Sequence, residues 1–218
     1  IVRASAAEAA KTGTEPYDLV QAVIDFVNLC INEFHYTPDE IPQKAMQAYH
    51  ADFYLAQVNN GGHSQFIHNS RNAAEATFRD AQAGLAAMGA PHARILEAML
   101  KWANTNQKEA ETQNGFEARN PYLDSLDSEL DAEEEAKSMI DYSVRWILSW
   151  PELRAVPDSM YLEEMAKLKS SNHKFTHRRV LKTVWGIEYD CTDEMQVAIG
   201  MALASLPNPE VLVWLGGG

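Results

Sequence analysis

In residues 17–34, YDLVQAVIDFVNLCINEF, the apolar residues Leu19, Val20, Val23, Ile24, Val27, Cys30, Ile31 and Phe34 recur at steps of three and four. That spacing lays one stripe along a helix. Thr37, Pro38 and Glu40 then form a capping-box signature with proline at the first helical position. A second helix is predicted from about Gln43 to Asn59, with Met46, Tyr49, Phe53 and Ala56 facing inward. After a break at residues 59–70, the alanine-rich segment 71–90 predicts a helix stopping at Gly89, a natural residue to follow a helix end. Pro91 restarts the chain into a helix with Ile95, Met99 and Trp102 on one side. Residues 104–121 are polar and read as a loop. A long acidic helix follows and ends near Trp150, before Pro151.

No alternation of period two and useful length occurs before residue 186, so the pattern predicts an all-α fold. Near residues 151–157 the character changes. Beyond lie a predicted helix at 158–170, a basic helix at 174–185 and an extended IEYDC. A last helix begins at Thr192, and no internal repeat is evident. The predicted organisation is a compact multi-helix domain over residues 1–150 and a smaller helical C-terminal extension over 151–218.

Of the 218 residues, 46 % are hydrophobic, enough for a real core rather than an acidic disordered tail. No apolar run approaches a membrane span, and the opening IVRASAAEAAK lacks the apolar region of a signal peptide. Cys30 and Cys191 form no motif, which suggests a reduced, cytoplasmic setting. The net charge of −13 argues against direct nucleic-acid binding. It is concentrated: residues 1–164 hold 26 acids against 12 bases, and residues 165–218 hold 5 against 6.

Residues 59–70, NNGGHSQFIHNS, interrupt the helical pattern and raise the question of chemistry. A nucleophile elbow needs glycine where Phe66 stands and a strand before it. A phosphate loop needs a lysine next to Ser64. His63 and His68 are five apart, roughly 140° around a helix, so one face cannot hold a metal with both. His173 and His177 have helical spacing, yet Lys174 occupies the place of a zincin glutamate. The residues fit a corner better. Gly61 or Gly62 supplies a left-handed conformation, Ser64 caps the next helix, and Phe66 and Ile67 enter the core. Asn60, Gln65 and Asn69 bring amides that can satisfy freed backbone groups.

Asn60-Gly61-Gly62, Gln65-Phe66 and Asn69, preceded by an aromatic helix and followed by an alanine-rich one ending in Met88-Gly89-Ala90, resemble the bacterial DNA-mimic protein domain family. The family pattern reads close to N-G-G-x-x-Q-F-x-x-N. Residues 123–131, LDSLDSELD, are similar to its later acidic segment, and the resemblance covers roughly residues 20–150. It implies an all-α fold. The best-known type of that family imitates duplex DNA with surface carboxylates and occupies a transcription factor. The motif is the corner rather than the mimic surface, so it speaks for fold more directly than for function.

Residues 124–135, DSLDSELDAEEE, hold seven acids and no base. On a helix, Asp124, Asp127, Asp131 and Glu134 or Glu135 fall on one face with neighbours about 5–6 Å apart, a spacing comparable to that of phosphates along a strand. The expected role is an acidic face that docks on a basic protein surface such as a DNA-binding protein. A solvated helix face is the plain alternative. The stripe Lys174, Arg178 and Lys182, opposite Val180, Leu181, Val184 and Trp185, reads as an amphipathic surface helix. It could also dock on acids of its own domain or of a second copy, so a homodimer stays open. No catalytic residue, cofactor or metal is expected. The alternative function is an enzyme with a carboxylate-containing pocket.

Overall fold

Residues 1–115 and 120–172 are described in a computed structural model of the chain. The basic stripe of residues 174–185, the extended IEYDC and the helix predicted from Thr192 lie outside them. Among the described residues the fold is all-α apart from one parallel pair of two-residue strands, β1 (Val2–Arg3) and β2 (Ala155–Val156). The chain divides into two units, residues 1–25 with 42–158 and residues 26–41 with 159–218.

In the first unit, α1 (Ala4–Thr12) follows β1 directly and ends at Gly13, with φ +72°. The short α1 and its strand leave no signal in the hydrophobic period. α2 (Tyr17–Asn28) carries the predicted stripe, with Leu19, Val20 and Val23 of this unit buried. α3 (Gln43–Ser70) is two helical arms joined at a kink where Gly61 and Gly62 leave helical geometry. Its buried face is turned partly from the predicted one. Of the residues expected inward, Met46 is buried, Tyr49 and Phe53 are half-buried and Ala56 is exposed, while Ala48, Ala51, Tyr54, Leu55 and Val58 are buried as well. Small residues take the inward positions because α4 (Ala74–Met88) approaches closely. A Cβ at Gly84 would stand 2.6 Å from the Gln47 carbonyl oxygen. α4 ends as expected at Gly89, in the left-handed conformation.

α5 (His92–Thr105) buries Ile95, Leu96 and Met99. The polar segment after it is not wholly a loop, since α6 (Gln107–Ala110) forms one turn. The predicted long acidic helix is in fact two, α7 (Pro121–Ala136) and α8 (Met139–Leu148). Asn120 caps α7, its side chain accepting from the amides of Tyr122 and Leu123, with Pro121 at the first helical position. The break between α7 and α8 comes from Lys137, which is extended, and from Ser138, which caps α8 through Ile140 N. Leu123, Leu126 and Leu130 of α7 join Tyr54, Phe66, Leu85, Ile95, Leu96, Met99 and Met139 in one core.

In the second unit, a π-turn at Leu29–Glu33 precedes His35, and the predicted capping box is present over a short 3-10 turn, Pro38–Glu40. α9 (Asp158–Ser171) runs where a helix was expected. Asn172 donates to the Phe34 carbonyl at 2.7 Å, and the Tyr36 hydroxyl donates to the Leu168 carbonyl at 2.8 Å.

Candidate functional site

The corner and the acidic helix meet. Gly62 has φ +73° and ψ −177°, which closes the first arm of α3, and the second arm starts at His63. The amides at a helix start have no partner within the helix. At this start the acceptor comes from α7: Asp127 Oδ1 accepts from His63 N at 2.8 Å and from His63 Nδ1 at 2.5 Å. Ser64, expected to cap this helix, instead accepts on its hydroxyl from the Gly115 amide at 3.0 Å.

The His63 ring is fully buried, and its Nε2 lies 2.8 Å from the hydroxyl of Tyr54, also fully buried. With Nδ1–H donated to the carboxylate, Nε2 accepts the Tyr54 proton. Burial first, and the Asp127 charge second, push the Tyr54 phenol well above its ordinary value. Carboxylate, imidazole and hydroxyl therefore follow in the order of a proton relay. Yet the terminal hydroxyl sits in the core, packed against Phe66 with ring centroids 5.0 Å apart. This network fastens α3 to α7, with its hydroxyl end buried and its carboxylate end at the surface.

The remaining corner residues work as side-chain packing. Gln57 Oε1 accepts from Gln65 Nε2 at 3.0 Å and from Asn69 Nδ2 at 2.5 Å, which ties the two arms across the kink. These amides bond to another side chain, not to freed backbone groups as expected. Phe66 is fully buried between Tyr54, Phe53 and Phe78. Asn60 is exposed on the rim of an open cleft of about 440 Å³, together with Asn59, Gly61, Gly62, Asp127 and Asp131.

The five acids singled out on α7 divide. Asp127 is spent on His63. Glu134 lies with Oε1 2.8 Å from Nε2 of the fully buried His92, accepts from Met139 N at 2.7 Å, and accepts on Oε2 from the Ser138 hydroxyl at 3.1 Å. Burial pulls the Glu134 carboxyl up, but His92, the Met139 amide and Ser138 more than offset that and hold it below its ordinary value. Asp131 and Glu135 are exposed, with no cationic partner among the described residues, and Asp124 is half-buried beside them. On the other side of the leucine seam, Glu129 and Glu133 face Arg94 at 2.7 and 3.4 Å.

The sequence did not single out His92, nor the use of Asp127 and Glu134 as anchors. The available signal was the seven-residue step between those two acids, which puts them on the same side of α7. Among the described residues no group of three or more histidine, cysteine or acidic side chains is arranged to hold a metal. No described helix is long and apolar enough to cross a membrane.

A family model described as DMP19-like protein matches residues 39–149, from the turn before α3 through α8. No curated protein and no solved structure matches the chain.

Proposed function

The chain belongs to the DMP19-like protein family, a DNA-mimic family, and from that membership we propose that it is a non-catalytic docking protein. Its α7 presents carboxylates to a basic surface on a DNA-binding protein, in place of phosphates. The observation that carries this reading is the exposed edge of α7, where Asp131 and Glu135 stand without a described cation while a helix turn separates their charges. The net charge of −13 supports it by steering a basic partner toward the surface and repelling nucleic acid itself. The carboxylate–imidazole–hydroxyl chain does not favour an enzyme, because its hydroxyl is buried.

The test is an affinity pull-down from native lysate on immobilised wild type and on the Asp131→Asn, Glu135→Gln double variant, eluted by a salt gradient. A basic DNA-binding protein is expected to elute at lower salt from the variant and to be displaced from wild type by duplex DNA. A recovered partner that duplex DNA does not displace, and that leaves both columns at the same salt, defeats the mimic reading.

A further inference from the structure

An acidic helix has charge on several sides, so its rotation about its own axis decides which row a partner meets. α7 carries seven acids, and its three buried leucines settle only which side is inward. Two further constraints act on that rotation. Asp127 and Glu134 are seven residues apart, which is within about 20° of the same direction on a helix. Each reaches a fully buried histidine, and the two histidines belong to different helices: His63 on α3 and His92 on α5. The hydrogen bonds at Asp127 and the close approach of the Glu134 carboxylate to the His92 ring, about 10 Å apart along one side of a rod, fix its azimuth in a way that an apolar seam alone does not.

Resting on the docking reading above, we infer that His63 and His92 are positioning residues that turn α7 so that one edge alone, Asp131 and Glu135, is the docking edge. The opposite edge is occupied within the fold. Glu129 and Glu133 sit beside Arg94, whose guanidinium occupies the row a partner would otherwise read. The docking edge continues past α7. Asp131 shares the rim of the cleft with Asn59 and Asn60, so the corner that accepts Asp127 also borders the surface offered to the partner. The sequence motif and the acidic segment, 64 residues apart at His63 and Asp127, thereby serve one surface.

Three isosteric double variants test this, because each removes the same two negative charges from the same helix: Asp131→Asn with Glu135→Gln, Glu129→Gln with Glu133→Gln, and Asp127→Asn with Glu134→Gln. The probe is a decalysine peptide, followed by fluorescence anisotropy and by amide shifts in two-dimensional NMR at low salt. Wild type is expected to show shifts along Asp131, Glu135 and the Asn59–Asn60 rim. The first variant should lose affinity at least fivefold and the second less than twofold, while the third, which weakens the two anchors from the carboxylate side, should spread the shifts to both edges. Equal losses in all three would mean that net charge alone is read, and would overturn the positioning role.

The anchors themselves are tested by His63→Ala with His92→Ala, which should spread the shifts to both edges, against His63→Asn with His92→Gln, which keep a donor at each contact and should restore the one-sided pattern. Where the alanine pair does not fold, the three carboxylate variants still decide. A wild-type footprint away from α7 would sink the docking reading and this inference together. A footprint on both edges of α7 would sink this inference alone.

Discussion

Replacing Gly62 by alanine would ask the backbone to hold φ +73° with a side chain and would drive the new Cβ into Asp127 Oδ2. The left-handed conformation alone costs about 1–2 kcal/mol for an ordinary residue. Displacing a carboxylate that holds a buried imidazole and a helix-start amide adds to that. Gly61 differs, since its φ of −155° lies outside the left-handed region and its Cβ would meet only the Gln65 side chain, at its amide end and at its Cβ. Urea melts should therefore show Gly62→Ala at least about 1 kcal/mol less stable than Gly61→Ala; equal midpoints would remove the corner argument. Gly84 makes the opposite case to helix propensity. Alanine there should gain about 1 kcal/mol on propensity, yet its Cβ would press on the Gln47 carbonyl, and overpacking against backbone costs about 1–3 kcal/mol. The expected result in the same melts is net destabilisation, which a gain in midpoint would contradict. The need for a glycine at the corner was legible in the sequence; which of the two is left-handed depends on Asp127, too far along the chain for local pattern to show.

At the scale of elements, three histidine–carboxylate contacts fasten helix to helix: His50 with Asp80 between α3 and α4, His63 with Asp127 between α3 and α7, and His92 with Glu134 between α5 and α7. Local periodicity predicted most helices because their apolar seams are strong, as in α2 and α5. It misjudged α3, whose inward face is set by the close approach of Gly84, and it merged α7 with α8. There a single serine cap and the reach of Glu134 to the Met139 amide outweigh an otherwise continuous helical composition. These contacts also set a pH response. Burial lowers the His50 imidazole, outweighing the pull of Asp80, and Arg79 adds to the lowering. A folded value below the ordinary 6.5 means the fold binds fewer protons than the unfolded chain. The resulting stability is complete above that value and is lost as pH falls through the lowered one. Glu134, also lowered, acts in the same direction in a more acid range, beginning near its ordinary 4.5. Melting temperature should therefore fall from pH 7.5 to 5.5 in wild type and fall less in His50→Gln, whereas Glu134→Gln should differ from wild type mainly by flattening the loss below pH 4.5. Parallel curves for wild type and His50→Gln would show that another group carries the response.

For the whole molecule the question is whether charge repulsion or ion pairing governs stability. The described surface pairs, such as Lys44 with Glu152 and Arg94 with Glu129, are exposed, and exposed pairs contribute about 0–1 kcal/mol. A net charge of −13 instead repels itself over the distance that salt leaves unscreened, about 30 Å at 0.01 M and about 10 Å at 0.1 M. Repulsion should win, so the melting temperature should rise with sodium chloride across that range. Neutralising Asp131 and Glu135 should raise it at low salt and shrink the salt increment, because those exposed acids have no described cation to lose. Asp127→Asn should do the reverse despite removing the same kind of charge. The amide keeps one acceptor for His63 but gives up the charged bonds to its ring and amide, a loss of about 1–2 kcal/mol. Differential scanning of the three proteins at both salt concentrations separates the effects, and a wild-type melting temperature that falls with salt would show attractive pairs in control. The sequence marked Asp124, Asp127, Asp131 and Glu134 or Glu135 as one row on a single helix face. Their division into anchors and a free edge required knowing where His63 and His92 lie, and it is that division which makes stability and docking separable in this chain.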